Sequence, residues 1–468
     1  MRIALLALAL LAPSSQASAQ AADPAPPTAN IRSLAAGYKA LTLCSALFNA
    51  QLAGGERSVA SVEGNELVGI YPELAPALAS LDADISQPRG ANDAFDWTVS
   101  VEWDASMVPR VAQRQPLGGC RLLPVGQRPH SFDQEQGLVI NYRYPSRTWP
   151  LGDEIAFAPA PVPADIAFLD ATIRSALQDG YGERTNTTAL VIVHNSRIIR
   201  ERYAEGFGIG TPQRTWSVAK SIAATIVGAA VHRGDVDTSA PAAITNWQHN
   251  GDPRRAITLD HLLHMSSGLT SDSAGNRTDA IYFGGTAVDE QAPGWPLIAP
   301  PGTTFRYANN DTLLATLAIA PTFAAHPPRD FFASVSMHST IAETDWRGNY
   351  VLSSQVWATA RDLARFGMLY LNDGVWNGTR ILPEGWRAYV STPSGPQPPG
   401  DFGYGASFWL MNRSDGVPAD TIAAFGNRGQ YVVIVPSRNI VIVRRGEDPH
   451  GARFDIAAFT RDVLAALE

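Results

Sequence analysis

Two pairs of β-branched runs, set far apart along the chain, restrict the fold more than any other feature. Ala189-Leu190-Val191-Ile192-Val193-His194 and Arg197 to Tyr203 read as strands around an Asn195-Ser196 turn. Tyr431 to Val435 and Ile440 to Val443 flank Pro436-Ser437-Arg438-Asn439 as a second hairpin. A lone hairpin is marginal in water, so the economical packing unites both in one antiparallel sheet. Amphipathic stretches bracket the pair. Asp165 opens a run with Ile166, Leu169, Ile173 and Leu177 on one face, and Asp455 to Leu467 reads as a closing helix. The expected class is therefore α/β in the α+β sense: an antiparallel sheet flanked by helices, a helical lobe built from the chain between the hairpins, and a small N-terminal domain.

The boundary of that N-terminal domain falls at Ala158-Pro159-Ala160-Pro161-Val162-Pro163, whose prolines forbid helix and suit an extended linker over 158–164. Upstream, residues 31–157 hold both cysteines, and downstream 165–468 holds the strand pairs. Residues 1–19 read as an export signal: Arg2, the apolar run Ile3 to Ala12, then Ala17-Ser18-Ala19 for cleavage. The run stops at Pro13, short of the roughly 20 apolar residues a membrane span needs. Residues 20–30, rich in Ala and Pro, are an expected disordered lead-in. Export to the periplasm or medium gives the cysteine pair a meaning, because an oxidising compartment lets Cys44 and Cys120 close a disulfide. A net charge of −8 gives no basic footprint for nucleic acid.

Lysine usage points to chemistry. Among 36 basic residues lysine stands only at Lys39 and Lys220. Guanidinium stays protonated in proteins, whereas a buried ammonium shifts its pKa and becomes a base, so a position that keeps lysine in an arginine-rich chain is a candidate proton acceptor. Ser217 precedes Lys220 by three residues, and Ser221 to Val231 continues as small and apolar helix. Residues i and i+3 share a helix face, which sets the amine above the hydroxyl in surroundings that favour its neutral form.

With these residues in place, the chain resembles the serine β-lactamase and penicillin-binding superfamily, in its class C-like esterase and 6-aminohexanoate-oligomer hydrolase branch. Ser217-Val218-Ala219-Lys220 matches the Ser-x-x-Lys motif, and Tyr307-Ala308-Asn309 matches the Tyr-x-Asn element. The stretches ITLDHLLHMSSGL, ATARDLARFGMLYLNDG and GNRGQYVVIVP agree in context, over about residues 165–468. The resemblance implies a serine hydrolase in which Ser217 is acylated, Lys220 is its proton partner and Tyr307 the second proton carrier, a phenol whose pKa a nearby cation lowers. Asn309 orients substrate or lysine, and the oxyanion donors are the backbone N–H groups of Ser217 and Gln430.

The third motif departs from that family. Where relatives carry Lys-Thr-Gly or Lys-Ser-Gly, the matching residues are Asn427-Arg428-Gly429, of which only Arg428 carries a charge for a substrate carboxylate. This favours a small ester or amide as substrate over a lactam. The alternatives are a β-lactamase or D-Ala-D-Ala carboxypeptidase, and, from another class, a non-catalytic penicillin-binding sensor or interaction protein. Tyr282, Phe283, Trp295 and Trp357 are candidate walls of an acyl pocket. His261 and His264 lack a third ligand or an HExxH pattern, so no metal and no cofactor is expected. Thr359 and Asp362 read as a helix cap, and the absence of Gly-x-Ser-x-Gly argues against an α/β-hydrolase. The oligomeric state is left open.

Overall fold

The computed structural model describes residues 27–86, 97–116, 118–129, 147–155, 165–271 and 278–467. The expected signal segment, most of the lead-in and the 158–164 linker lie outside these residues.

Among the described residues a seven-stranded antiparallel sheet runs in the order Gly403–Tyr404, Trp409–Leu410, Ile422–Gly426, Gln430–Val435, Ile440–Gly446, Thr187–His194, Arg197–Tyr203. The two expected hairpins meet at its centre, where Ile442 stands opposite Ile192 and Val441 opposite Val193. Asn195 and Ser196 both take positive φ, 49° and 63°, the geometry of the primed turn that matches strand twist.

Side chains alternate across this sheet and so divide the core in two. Leu190, Ile192, Val433, Val435, Ile440 and Ile442 pack under the helices Ile166–Ala176 and Ile456–Ala465, through Leu169, Ile173, Phe459 and Val463. Asp165 and Asp455 cap those helices by accepting from Phe168 N and Ala458 N. Of the apolar face expected for the first helix, Leu169 and Ile173 are buried, whereas Ile166 is exposed. On the opposite face Val191, Val193, Val432, Ile434, Val441 and Val443 join a larger core with Val218, Ile222, Leu363 and Phe366.

That larger core also takes in the N-terminal segment. The helix Ala29–Leu52 packs on a four-stranded antiparallel sheet, Ala83–Ser86, Thr98–Val101, Arg110–Arg114 and Cys120–Leu122, and Cys44 is disulfide-bonded to Cys120. Tyr38, Leu41, Cys44 and Phe48 belong to the same apolar cluster as Trp216, Tyr282 and Trp357. The seam is polar at one buried carboxyl: Glu343 accepts from Cys120 N at 2.9 Å, Asn49 Nδ2 at 3.3 Å and Trp357 Nε1 at 3.0 Å. Among the described residues no helix is long and apolar enough to cross a membrane.

Candidate active site

The helix Val218–Arg233 runs through the core with Val218 to Ala230 all buried. A helix apolar on every side has to lie inside, and the alanines and Gly228 let neighbours approach closely; a Cβ at Gly228 would stand 2.5 Å from Trp386 Cε2. Gly234, at φ 79°, ends the helix in the left-handed conformation. Ser217 occupies the N-cap position, yet its side chain makes no capping bond. Trp216 just before it holds φ at 49°, an uncommon conformation for a bulky residue, and this sharp entry presents the hydroxyl outward.

Lys220 lies one turn on and is almost wholly buried. Its Nζ stands 2.9 Å from Ser217 Oγ, 2.5 Å from Asn309 Oδ1 and 3.0 Å from the Ser353 carbonyl. Among the described residues no carboxylate pairs with it. Burial, and then the Arg214 charge, bring its pKa down to about 7. As an ammonium Lys220 donates to all three oxygens; once neutral, its two hydrogens can serve Asn309 Oδ1 and the Ser353 carbonyl and its lone pair can face the Ser217 O–H. Arg214 is itself held by Ser354 and stacked 3.7 Å over the Trp216 ring.

Tyr307 and Asn309 come from the start of the helix Asn309–Ile319. Asn309 Nδ2 donates to Thr278 Oγ1 at 3.1 Å, which fixes the amide with its oxygen toward the lysine. The Tyr307 ring lies 5.2 Å from Lys220 Nζ, against Tyr404 and Trp409. Its pKa departs from the lowered value that the sequence suggests: burial raises it well above the ordinary phenol value, against the lowering effect of a hydrogen bond to the Ser217 side chain. The resting phenol therefore keeps its proton.

These groups open on a cleft of about 510 Å³. It is lined by Ser217, Tyr307 and Asn309, by Trp216, Tyr282 and Ser354, and by Trp409, Phe425, Gly426 and Asn427. Residues Ile70 to Glu73, with Asp279 and His450, complete the lining. Tyr282 is thus at the cleft as expected, its hydroxyl 2.7 Å from Ser353 Oγ. Phe283 and Trp357 are core residues, and Trp295 does not line the cleft.

The third-motif expectation needs correction at most of its positions. Asn427 reaches the cleft, but Arg428, Gly429 and Gln430 are buried outside it. Asn427–Gly429 is a tight turn between two strands, with Arg428 in the left-handed conformation at φ 59° and its side chain turned away from Ser217. The Gln430 side chain donates to the Gly446 carbonyl and accepts from Arg445 Nε at 2.6 Å. Facing Ser217 instead is Gly426: a Cβ there would collide with the Thr215 carbonyl and lie 3.2 Å from Ser217 N. The visible signal was the glycine that ends the apolar run Ile422 to Phe425.

The histidines are structural. His261 Nδ1 accepts from Thr258 N at 3.1 Å to close a helix cap, and His264 bonds to Asp260. Among the described residues no group of three or more His, Cys, Asp or Glu side chains could hold a metal ion. Thr359 Oγ1 accepts from Asp362 N, the cap expected of that pair.

The sequence profile of the family described as Beta-lactamase matches residues 169–467. The 6-aminohexanoate-dimer hydrolase of Paenarthrobacter ureafaciens is 26% identical over 304 residues, which span 57% of this chain and 74% of that protein. Two solved structures share the fold. One, from Bacillus anthracis and provisionally named a 6-aminohexanoate-dimer hydrolase, has a TM-score of 0.52 at 22% identity, over 63% of this chain and 80% of the other. The second, from Bacteroides dorei DSM 17855 and provisionally named a beta-lactamase, has a TM-score of 0.53 at 20% identity, over 65% and 99%. With the helix-borne Ser217 and Lys220 under an antiparallel sheet and most of the chain matched, this protein is a hydrolase of the beta-lactamase family, related to its 6-aminohexanoate-dimer hydrolase branch.

Proposed function

We propose that the protein is an exported serine hydrolase that cleaves a small ester or amide through an acyl-enzyme on Ser217. The observation that carries this reading is the 2.9 Å approach of a carboxylate-free, buried Lys220 amine to the Ser217 hydroxyl. In the forward step Lys220 takes the hydroxyl proton as Ser217 Oγ bonds to the substrate carbonyl carbon. The resulting oxyanion is held by the backbone N–H of Ser217 and one from the Gly426-Asn427 strand end, a donor of the kind whose loss costs about 100- to 1,000-fold. Tyr307, protonated at rest, passes its proton to the leaving alcohol or amine as the carbonyl–heteroatom bond breaks, and Lys220 returns the serine proton to it. Water then attacks the acyl group, with the same groups acting in reverse, and frees the acid.

Phe425, Gly426 and Asn427 reach the cleft uncharged while the Arg428 side chain is bonded elsewhere, so this turn offers no cation to a substrate carboxylate, which favours esters and simple amides over penicillin-type lactams. The Cys44–Cys120 disulfide fits an oxidising compartment and hence export. A panel of p-nitrophenyl esters, nitrocefin, a D-Ala-D-Ala peptide and 6-aminohexanoate dimer tests the reading. Turnover of esters or of the dimer above the other two supports it; hydrolysis of nitrocefin or the peptide alone, or of none, overturns it.

A further inference from the structure

Arg445 stands where the two chain segments that supply the oxyanion donors come together. It lies near the end of the strand Ile440–Gly446, and the pairing with Thr187–His194 shifts register between Arg445 and Gly446. An irregularity of this kind re-aims a side chain, and Arg445 is buried without any exposed surface. Among the described residues no carboxylate forms an ion pair with it; Glu447 and Glu66 act on it as charges without bonding to it. Its hydrogens go instead to neutral oxygens: Gln213 O at 2.9 Å, Arg214 O at 3.1 Å, Ala358 O at 2.5 Å and Gln430 Oε1 at 2.6 Å. A buried cation is tolerated only when its hydrogens are bonded, and here the acceptors belong to three different strands.

Each of those strands leads to the site. Gln213–Arg214 runs through Thr215 and Trp216 into Ser217. Val356–Ala358 pairs with it, Ala358 opposite Gln213, and the Val356 carbonyl takes Thr215 N at 2.8 Å. Three residues before Val356, the Ser353 carbonyl accepts from Lys220. On the other side Gln430 is the register partner of Gly426, the glycine whose Cβ would lie 3.2 Å from Ser217 N. The Gln430 amide is fixed at both ends, its oxygen on Arg445 Nε and its nitrogen on the Gly446 carbonyl. A planar fork with fixed N–H directions holds such segments at one spacing, which the point charge of an ammonium cannot do. One guanidinium thus joins the strand entering the nucleophile turn to the strand end that faces it.

We propose that Arg445 is a positioning residue of the oxyanion pocket: by bonding the strand that enters Ser217 and, through Gln430, the strand end at Gly426, it holds the two backbone N–H donors at one separation. The inference rests on the serine hydrolase reading above. Its test pairs p-nitrophenyl acetate with p-nitrophenyl thionoacetate, in which sulfur replaces the carbonyl oxygen. Sulfur is larger and a weaker hydrogen-bond acceptor, so an intact pocket favours the oxygen ester and a displaced donor erodes that preference. Arg445→Met removes every donor at similar length, and Arg445→Lys keeps only the charge. In variants that retain a cooperative thermal melt, Arg445→Met should lower kcat for the oxygen ester about 100-fold with KM within about threefold of wild type, and lower the oxygen-to-sulfur rate ratio about tenfold. Arg445→Lys should recover part of both, and Gln430→Ala should move the ratio in the same direction as Arg445→Met. Arg365→Met is the comparison: this arginine is also buried, but it bonds to the Pro150 and Gly152 carbonyls and to Asp153 away from the cleft, so its loss should lower the melt and leave the ratio at the wild-type value. An unchanged kcat in Arg445→Met, or a fall in kcat with the ratio unmoved, overturns the positioning role alone. If Arg445→Met does not fold, wild-type ratios in both Arg445→Lys and Gln430→Ala overturn it. No turnover of either ester and no fluorophosphonate label in the wild type overturns the hydrolase reading and this inference with it.

Discussion

Lys220 Nζ stands 2.9 Å from Ser217 Oγ, and burial with the nearby Arg214 brings the ammonium pKa down to about 7. Acylation should therefore rise with pH through about 7 as the amine loses its proton, falling about tenfold per unit below it. Stability follows the same group with a definite sign. Between about 7 and the ordinary lysine value of 10.5 the unfolded chain binds the extra proton, so Lys220 contributes stability that increases with pH across that window. Lys220→Arg keeps the charge but removes the base, and should lower the acylation rate about 1,000-fold, whereas Lys39→Arg should be near silent. Stopped-flow ester bursts from pH 5 to 9 measure both; a flat profile or a fast Lys220→Arg burst contradicts the assignment.

Gly426 is where the sheet touches the nucleophile turn. A Cβ there would stand 2.4 Å from the Thr215 carbonyl and 3.2 Å from Ser217 N, so Gly426→Ala should force the strand end and the nucleophile turn apart. A shift of that kind at an oxyanion donor costs about 100-fold in kcat. Gly208→Ala is the comparison for a glycine outside the left-handed region whose added Cβ meets nothing within 4 Å. Steady-state kinetics on one ester, beside thermal melts, separate lost geometry from lost folding.

The disulfide Cys44–Cys120 closes a separation of 76 residues. In the chain-entropy picture its loss destabilises by about 4 kcal/mol. The double variant Cys44→Ala, Cys120→Ala should show this as a lowered denaturant midpoint. It should also raise ester KM, because the stapled segment carries Tyr71 into the cleft. An unchanged midpoint would mean the reduced chain retains the same restraint.

The sheet was legible because alternation and turn chemistry are local: Asn195-Ser196 and Pro436 to Asn439 mark hairpins by residue type alone. Ser217, Lys220, Tyr307 and Asn309 were legible as motifs, and the structure brings all four together. The cleft lining at Ile70 to Glu73 was not, since the chain leading to it is fixed by contacts some 360 positions away, such as Arg428 to Val68, and no local pattern encodes such a bond. The third motif failed by register. Matching Asn427-Arg428-Gly429 to Lys-Thr-Gly placed a turn where the strand end belongs, and only the collision of Gly426 with the Ser217 turn reveals the offset. Trp409 and Phe425, which line the cleft, belong to no motif in the sequence, because an aromatic strand residue shows its face only once the sheet is built.

The measurement that bears most directly on the central claim is peptide mapping by mass spectrometry after a short incubation with a fluorophosphonate. The expected result is one phosphonyl adduct per chain on Ser217, absent from Ser217→Ala and formed about 1,000-fold more slowly by Lys220→Arg. An adduct on another residue, or none on folded wild-type protein, would contradict a nucleophile at Ser217 and the proton path built on it.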